Sequence, residues 1–407
     1  MTGTRPVAVL KFGGTSVATS EQRAAAIARI RESRQRGFAT VAVVSAMGRA
    51  PAPYATDSLA ALAGHAQPDA NVDLLLSCGE TIAAALTAYE ACLQGVPARA
   101  LTGTQAGIIT DGRAGDATPL RVEAAVLSRL LDAEVVPIVA GFQGATADGT
   151  VTTLGRGGSD LSAIAIGQAL GAERIDIYTD VPGVMTADPR RIEDAHPIER
   201  VSLEEMIELS QHGAKVMHDK AAEFAQRSGT RYELKSLRTD EGTIVDDHAE
   251  HRRPVSGIAL KSRITWFRAI RGDVDAPQAR MQLELEMFRR IAHAGISLDQ
   301  VSINQGGVSF GVQGDRGNEM RELLGDLNLA VRVREGCAKL SVVGAGMRGT
   351  PGVVYSVVSA LSAANVEIIH CTDSNITISV LVPEIDAQRA ERAVHDYFHL
   401  DEGVPAS

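Results

Sequence analysis

The sequence has few cysteines, and it lacks both a long apolar run and the apolar core of a signal peptide. Its four cysteines among 407 residues are scattered, without a CxxC pair or histidines at metal-ligand spacing, which argues against a disulfide framework and a structural zinc site. No apolar run approaches the roughly 18 residues that a membrane helix requires, and no signal-peptide core follows the first residues. We therefore expect a cytoplasmic protein without a membrane partner or a protein-held metal.

A basic stripe is also missing. The net charge is −10, and acidic and basic residues are interspersed along the chain. Nucleic-acid binding requires clustered positive charge, so we expect no nucleic-acid partner. With 45% hydrophobic and 22% charged residues, the composition is that of a globular protein with two or three packed domains.

Residues 1–250 alternate short β-branched runs with longer alanine-rich amphipathic segments. This alternation predicts an α/β domain, a sandwich of helices around a largely parallel sheet. Predicted strands are residues 7–11, 40–45, 98–102, 135–140 and 175–178, and predicted helices are residues 21–35, 81–94, 119–133 and 160–170. The polar segment 246–254 interrupts the pattern and is the best linker candidate.

After the linker, strands and helices recur in the order βαββα in residues 262–335 and again in residues 336–407. Recurrence of this kind indicates an internal structural repeat. Predicted strands are residues 264–271, 297–303, 308–312, 330–334, 339–344, 367–371 and 376–381, and predicted helices are residues 277–293, 319–324, 353–363 and 387–395. We therefore predict two α+β units with βαββ order.

Two glycine-rich turns carry the clearest chemistry, and the first is KFGGTSV. Gly13 and Gly14 follow an apolar strand and let main-chain N–H groups approach an anion, while Thr15 can cap the next helix. Lys11 adds a compact positive charge that suits a transferring phosphoryl group. Taken alone, the segment is equally typical of a strand-to-helix turn with a solvated lysine.

The second turn, TTLGRGGSD, matches neither the Walker pattern nor the dinucleotide fingerprint. Its glycines free the backbone for close contact, and Arg156 offers a planar fork that fits a carboxylate. Asp160 can orient a lysine or contact a magnesium-bound water. Two such turns in one α/β domain favour a ligand site over a structural loop.

Other polar residues lie near predicted strand and helix ends. Glu80 precedes a helix predicted to begin near Thr81, where its carboxylate can accept an ammonium or merely complement the helix dipole. Ser45 closes a strand and can contact the same pocket or cap a helix. The segment 178–190 begins at a strand end and turns twice, as nucleotide loops and structural turns both do. Lys215 is a weaker candidate for a phosphate contact.

The segments KFGGTSV, SCGE, GRGGSD and YTDVPGVMTADPR, in this order and spacing, resemble the motifs of the aspartokinases. Because VVSAMGRAPAPYATDSL, VAGFQGAT and KLSVVGAGMRGTPGV are also similar to monofunctional members, the resemblance covers nearly the whole chain. It implies an amino-acid-kinase α/β/α sandwich followed by two ACT-like units. The implied activity is phosphorylation of the β-carboxylate of L-aspartate with ATP and Mg²⁺. The implied partners are an amino-acid effector (lysine, threonine or diaminopimelate) and further copies of the chain in a dimer or tetramer.

The resemblance also implies roles for individual residues. Lys11, Asp160 and Lys215 are the implied catalytic residues; Ser45, Glu80, Arg156 and Ser159 are the implied substrate ligands. The implied ATP ligands are Lys11, Gly13, Gly14, Thr15, Thr179, Asp180, Asp188, Arg190 and Lys215. The implied effector ligands are Met347, Arg348, Pro351, Gly352, Val353, Asn375 and Ile376. Among these, Arg156 would clamp the α-carboxylate of aspartate and Glu80 would receive its α-ammonium.

The sequence departs from the family pattern mainly on the nucleotide side. Asp219 and Lys220 stand where the family usually has proline and arginine, and Pro182 stands where an acidic residue is common. In the first ACT-like unit, residues 275–278 replace the usual Pro-Gly turn. These departures leave ATP affinity and effector binding in that unit open. Two alternatives therefore remain: a related kinase that acts on an aspartate analogue, and a catalytically weak amino-acid sensor.

Overall fold

The computed structural model describes residues 5–64, 67–214, 216–239, 241–247, 253–271, 277–304, 306–325, 327 and 329–402. The chain forms two compact units: unit 1 comprises Met1–Met185 and Pro197–Glu250, and unit 2 comprises Thr186–His196 and His251–Ser407. The predicted first domain, residues 1–250, therefore differs from unit 1 by the segment Thr186–His196.

Unit 1 is an α/β assembly whose elements alternate along the chain. Its strands are β1 (Val7–Phe12), β2 (Ala39–Val44), β3 (Ala98–Leu101), β4 (Ile108–Thr110), β5 (Pro119–Val122), β6 (Val136–Ala140), β7 (Gln143–Ala145), β8 (Val151–Thr153), β9 (Arg174–Thr179), β10 (Arg200–Val201), β11 (Tyr232–Ser236) and β12 (Gly242–Val245). Its helices are α1 (Ser20–Gln35), α2 (Thr56–Ala63), α3 (Ala70–Leu93), α4 (Ala125–Asp132), α5 (Gly158–Leu170), α6 (Leu203–His212) and α7 (Asp219–Ser228).

An eight-stranded sheet organises this unit, in the order β10-β12-β11-β9-β1-β2-β6-β3. Neighbouring strands are parallel except for the antiparallel pair β11 and β12. The central strand β1 is buried from Ala8 to Phe12, as expected for a parallel strand covered on both faces. A smaller sheet has the order β5-β4-β7-β8. The predicted largely parallel sheet is thus confirmed.

Side-chain caps explain where several helices begin. The Thr19 hydroxyl accepts the Gln22 N–H while the Gln22 side chain accepts the Thr19 N–H, which is a capping box at α1. Ser202 and Glu205 make the same exchange at α6. The predicted cap of α1 at Thr15 is therefore wrong, because the chain first makes a short 3₁₀ turn there.

Two predicted helices of unit 1 also differ from the structure. The helix α3 begins at Ala70, with Asp69 as its cap, so the predicted start near Thr81 is wrong. The predicted helix 119–133 is the strand β5 followed by α4. Because β5 pairs with β4, sheet pairing outweighs the local helical preference of this segment.

Among the described residues, α3 alone is long and apolar enough to cross a membrane by length and composition. Of its most apolar window, 44% is buried inside the protein. Core helices of globular proteins meet the same criterion, so this property assigns no membrane role.

Unit 2 contains the predicted repeat. Its strands are β13 (Gly257–Arg271), β14 (Asp299–Asn304), β15 (Gly307–Gln313), β16 (Leu329–Val343), β17 (His370–Asp373) and β18 (Thr377–Pro383); its helices are α8 (Pro277–His293), α9 (Gly317–Gly325), α10 (Val353–Ala363) and α11 (Ala387–Tyr397). They form one antiparallel sheet in the order β14-β15-β13-β16-β18-β17. Helices α8 and α9 pack on its first half, and α10 and α11 pack on its second.

The repeats share two long strands, which the sequence did not predict. The predicted strands 330–334 and 339–344 are one continuous strand, β16, and β13 begins before the predicted residue 264. The first part of β13 pairs with the end of β16, and Ile258 and Leu260 pack in the core of the second repeat. The second repeat is therefore completed by residues outside its predicted range, 336–407.

Candidate active site

A buried lysine meets a buried aspartate where the central strand of the large sheet ends. Lys11 lies near the carboxyl end of β1, and Asp160 lies in the first turn of α5. The Lys11 Nζ is 2.6 Å from the Asp160 Oδ1, and the residues are 8% and 9% exposed. The pair holds an ammonium at the carboxyl edge of a parallel sheet, which is where α/β proteins bind ligands.

The turn after β1 packs closely against the turn after β2. The Gly48 N–H donates to the Gly14 carbonyl at 3.0 Å, and a Cβ on Gly14 would lie 2.5 Å from the Ala46 carbonyl oxygen. Only glycine permits this approach. A Cβ on Gly13 would lie 3.7 Å from the Lys11 Nζ. Gly13 therefore lies beside the lysine ammonium, and Gly14 joins the two turns.

Glu80 lies inside α3 rather than at its start. It is 2% exposed, and its Oε1 accepts the Ala46 N–H at 3.0 Å. Within the described part of the chain, the buried Oε2 has no hydrogen-bond partner. Burial raises the pKa of the Glu80 carboxyl to about 8. The Glu80 carboxyl is therefore a buried group that is only partly hydrogen-bonded by the described residues, beside the turn after β2.

The sequence analysis placed Glu80 just before a helix, whereas α3 continues through the segment SCGE. In the structure, Gly79 is a helical residue where backbones crowd: a Cβ there would lie 2.8 Å from the Tyr54 carbonyl oxygen and 2.9 Å from the Ala46 Cβ. The glycine lets α3 approach the turn after β2, which brings Glu80 to Ala46. Its role is close packing rather than helix initiation.

The second glycine-rich turn presents an arginine. Gly155 and Gly157 have φ of +74° and +72°, in the left-handed region that favours glycine. Arg156 between them is exposed, and in the part of the chain that the structure describes its guanidinium makes no hydrogen bond or ion pair. Ser159 is buried at the start of α5, 2.9 Å from the place of a Cβ on Gly141. The turn thus offers a guanidinium four residues before Asp160.

The remaining site residues of unit 1 lie at the ends of β2 and β9. Ser45 is half-buried just after β2, and Thr15 is half-buried in the 3₁₀ turn after β1. Thr179 ends β9, and the exposed Asp180 follows it. The Arg49 guanidinium donates to the Asp180 Oδ2 at 3.0 Å. These strands neighbour β1 in the sheet, so their ends share its carboxyl edge.

Three further predicted nucleotide ligands are Asp188, Arg190 and Lys215. Asp188 and Arg190 lie in the segment Thr186–His196 of unit 2 and form a two-bond ion pair with each other, at 2.9 and 2.7 Å. Arg190 holds the pKa of the Asp188 carboxyl below its usual value. Lys215 lies outside the described residues. The nucleotide roles of all three stay predictions.

The predicted effector residues lie on two adjacent turns of unit 2. The Gly344 N–H donates to the Ile376 carbonyl at 2.9 Å, which joins the turns. Met347, Val353 and Ile376 are buried, whereas Arg348, Pro351, Gly352 and Asn375 are exposed. The apolar members therefore pack in the core, and the exposed members are the ones accessible to a ligand.

Sequence reasoning missed two residues that contact the second glycine-rich turn. The Lys220 ammonium donates to the Leu154 carbonyl at 2.9 Å. The Asp73 carboxylate, fully buried in α3, accepts the Thr153 N–H at 3.0 Å. Asp73 left no signal in the sequence, whereas Lys220 was visible as a departure from the family pattern.

The comparisons with known proteins agree along the whole chain. Residues 6–236 match the amino acid kinase family, and residues 340–398 match an ACT domain. The chain is 41% identical to Aspartokinase 1 of Bacillus subtilis over 405 residues, covering 97% of this chain and 99% of that protein. It is 36% identical to an aspartokinase of Thermus thermophilus over 409 residues, covering 97% and 98%.

Solved structures give the same result. Aspartokinase III of Escherichia coli in complex with aspartate and ADP superposes with a TM-score of 0.77 at 26% identity, covering 97% of this chain and 100% of that chain. The same enzyme in complex with lysine and aspartate gives a TM-score of 0.78 at 26% identity, covering 96% and 99%. These matches confirm the predicted fold class.

Proposed function

Because this chain belongs to the aspartokinases, which are ATP-dependent kinases acting on aspartate, we propose that it phosphorylates the β-carboxylate of L-aspartate with MgATP. The products are 4-phospho-L-aspartate and MgADP. The proposal rests on one series of contacts. Asp160 forms an ion pair with Lys11, which lies beside the first glycine turn. That turn packs against Ala46, whose N–H donates a hydrogen bond to Glu80. A carboxylate acceptor is ionised at neutral pH, so no general base is needed.

In the proposed site, one acidic and one basic side chain bind the two α-groups of aspartate. Glu80 receives the α-ammonium with its unpartnered Oε2, and Arg156 receives the α-carboxylate through two parallel hydrogen bonds. Ser45 and Ser159 lie between these groups in the proposal, as hydroxyl partners of the substrate. Binding both α-groups would leave the β-carboxylate of aspartate as the nucleophile.

The phosphoryl end would depend on positive charge and backbone donors. Lys11 neutralises charge that spreads over the transferring phosphoryl oxygens, and Gly13, Gly14 and Thr15 supply N–H groups to the phosphates. Thr179 and Asp180 contact the nucleotide. Magnesium would arrive with ATP and screen its phosphate oxygens, and the carboxylate of Asp160, beside Lys11, would contact a magnesium-bound water.

Unit 2 would supply regulation. We assign it the binding of an amino-acid effector, on the strength of its ACT domain match and of a structural neighbour solved with lysine. Arg348 and Asn375 are exposed on the adjacent turns of this unit and would contact the effector. The proposal further includes a homo-oligomer formed through unit 2 and a cytoplasmic location.

The test is an assay of ATP turnover that also traps the product. ADP release is measured with aspartate, glutamate or no acceptor, and hydroxylamine is added to convert an acyl phosphate into a hydroxamate. We expect hydroxamate only with aspartate, and inhibition by lysine, threonine or diaminopimelate. Turnover with another acceptor alone would favour the aspartate-analogue kinase, and ligand binding without any turnover would favour the sensor.

The role of Arg156 in aspartate binding can be tested separately, with a control variant. Arg156→Ala is expected to raise the aspartate KM by about 10- to 100-fold, since a two-bond contact to a carboxylate is lost. Arg129→Ala, which removes an exposed arginine from α4, should leave the KM unchanged. An unaltered aspartate KM in Arg156→Ala would remove that residue from the site.

A further inference from the structure

Lys220, at the start of α7, donates hydrogen bonds to the polypeptide that leads into the second glycine-rich turn. The Lys220 Nζ lies 2.9 Å from the Leu154 carbonyl, 3.0 Å from the Ala117 carbonyl and 2.7 Å from the Asp116 Oδ1. A lysine ammonium has three N–H donors, so these acceptors use all of them. The Lys220 side chain is only 21% exposed, and it therefore acts as a cross-link between two loops and a helix.

The same polypeptide is held from its other side by α3. The Asp73 carboxylate accepts hydrogen bonds from the Thr153 N–H at 3.0 Å, from the Thr153 hydroxyl at 2.7 Å and from the Gly115 N–H at 3.0 Å. The Ala117 N–H also donates to the Thr153 carbonyl at 2.9 Å. Thr153 and Leu154 are therefore fixed immediately before Gly155, the first glycine of the turn.

The turn itself has no spare room on the side of α7. A Cβ on Gly155 would lie 2.7 Å from the Asp116 Oδ1, and a Cβ on Gly157 would lie 2.3 Å from the His218 Cβ. Asp116, which contacts Lys220, and His218, which lies two residues before it, therefore confine the backbone on both sides of Arg156. The Arg156 side chain extends from this backbone into solvent.

We propose that Lys220 is a positioning residue for aspartate binding, because it fixes the backbone from which Arg156 reaches the substrate α-carboxylate. Lys220 does not touch the substrate in this proposal; it acts through Leu154 and the turn. The inference rests on the proposed function, since it assigns Arg156 to the aspartate clamp. A displaced guanidinium would weaken carboxylate binding while leaving the phosphate-binding turn after β1 in place.

The first test separates the two substrates kinetically. Lys220→Met is expected to raise the aspartate KM by about 10- to 100-fold, which is the effect of a displacement near 1 Å, while the ATP KM changes less than about 3-fold. Lys220→Arg keeps the charge and should restore most of the affinity. Arg227→Met, which removes an exposed charge from the same helix, should match the wild type.

A double-variant cycle tests whether the effect passes through Arg156. If it does, Lys220→Met should add little to the aspartate KM in an Arg156→Ala background, because coupled residues are non-additive. Independent, fully additive effects would overturn the proposal, and so would equal rises in both KM values. If Lys220→Met fails to fold, Asp116→Asn, which weakens the contact with the Lys220 ammonium, carries the same comparison with a milder expected shift.

Calorimetric titration of aspartate keeps this inference distinct from the catalytic proposal. Wild-type protein that binds aspartate without turnover would contradict the proposed kinase reaction. A loss of binding in Lys220→Met but not in Arg227→Met would still support the positioning role. Unchanged aspartate affinity in Lys220→Met would overturn it.

Discussion

Each unit buries a lysine against an aspartate at the same distance, but the two pairs have different surroundings. The Nζ–carboxylate distance is 2.6 Å for Lys11–Asp160 in unit 1 and 2.6 Å for Lys339–Asp299 in unit 2. Lys339 lies within β16, flanked by paired strands, and contacts both oxygens of Asp299. Lys11 lies at a strand end, beside glycine turns. Only the first pair adjoins backbone donors that a ligand can use.

Buried glutamates show the same contrast. Burial raises the pKa of both Glu80 in unit 1 and Glu391 in unit 2. Glu391 meets the Arg191 Nε at 2.7 Å within its own unit, which partly offsets the cost of burial. In the described residues, the Glu80 Oε2 has no such partner. A buried charge therefore indicates a ligand site when its partner is missing, and a structural role when the partner is internal.

The largest expected effect comes from Lys11→Met. The substitution should lower kcat roughly a thousand-fold, since a charge facing the transferring phosphoryl group is lost, and should change the aspartate KM far less. Steady-state kinetics with each substrate varied in turn gives the answer. Equal losses in kcat and aspartate affinity would refute the role assigned to Lys11.

The matched substitution in unit 2 should act on stability instead. Lys339→Met leaves Asp299 without its shortest ion pair and is expected to destabilise unit 2 by about 3 kcal/mol. This is the low end of the range for buried pairs, because the Lys261 Nζ lies 3.7 Å from the same carboxylate.

The single tryptophan of the chain makes this stability change measurable. Trp266 is buried in unit 2, so its fluorescence during urea unfolding reports that unit. The double variant Lys339→Met with Asp299→Asn should recover part of the loss, because the carboxylate that lost its shortest ion pair is gone. If Lys339→Met lowered kcat as strongly as Lys11→Met while unit 2 stayed folded, the contrast between the pairs would fail.

The pH dependence sharpens the contrast between the glutamates. With a pKa of about 8, Glu80 is protonated in the free site at neutral pH, so the aspartate KM should fall as pH rises from 6.5 to 8.5. Glu80→Gln should raise the KM and flatten its pH profile. A profile as steep in Glu80→Gln as in the wild type would assign the titration to another group.

Stability should respond to the same titration with a defined sign. The folded-state pKa of Glu80 lies above the unfolded value of 4.5, so the folded protein binds more protons between these values. The free energy of unfolding should therefore fall as pH rises through this range. Glu80→Gln should become progressively more stable relative to the wild type, as thermal unfolding followed by circular dichroism would show.

The smallest effect is expected where a pair is exposed. Arg49 and Asp180 form an ion pair with side chains 74% and 52% exposed, so water screens the charges. Arg49→Ala should change the free energy of unfolding by less than about 0.5 kcal/mol. A larger loss that persists at high salt would show that exposure is a poor guide here.

The sequence predicted the strands β1, β2 and β9 and the helix after the second glycine turn, because each depends on local backbone chemistry. KFGGTSV includes the end of the apolar strand β1, and GRGGSD leads into α5, so that Lys11 and Asp160 meet at 2.6 Å. The helix start near Thr81 was wrong because Gly79 is needed for close packing against Ala46, a contact between segments far apart in the chain.

Contacts between distant segments also explain the other differences. The strands β13 and β16 join both repeats of unit 2 because their pairing buries apolar residues on either side. The segment Thr186–His196 groups with unit 2 through contacts such as Arg191 with Glu391. Spacing in the sequence gives no measure of such pairings.

The sequence by itself determined the family, the parallel sheet of unit 1 and the residue types of the site, because glycine turns, apolar strands and charged residues at strand ends follow local rules. Tertiary structure alone decided which charges are satisfied internally and which are left for a ligand. Burial and pairing depend on segments such as α3 and α7 folding against the glycine turns. The sequence shows that Glu80 and Lys220 are ionisable. Only the folded chain shows that Lys220 is fully hydrogen-bonded and that, among the described residues, the Glu80 Oε2 has no hydrogen-bond partner.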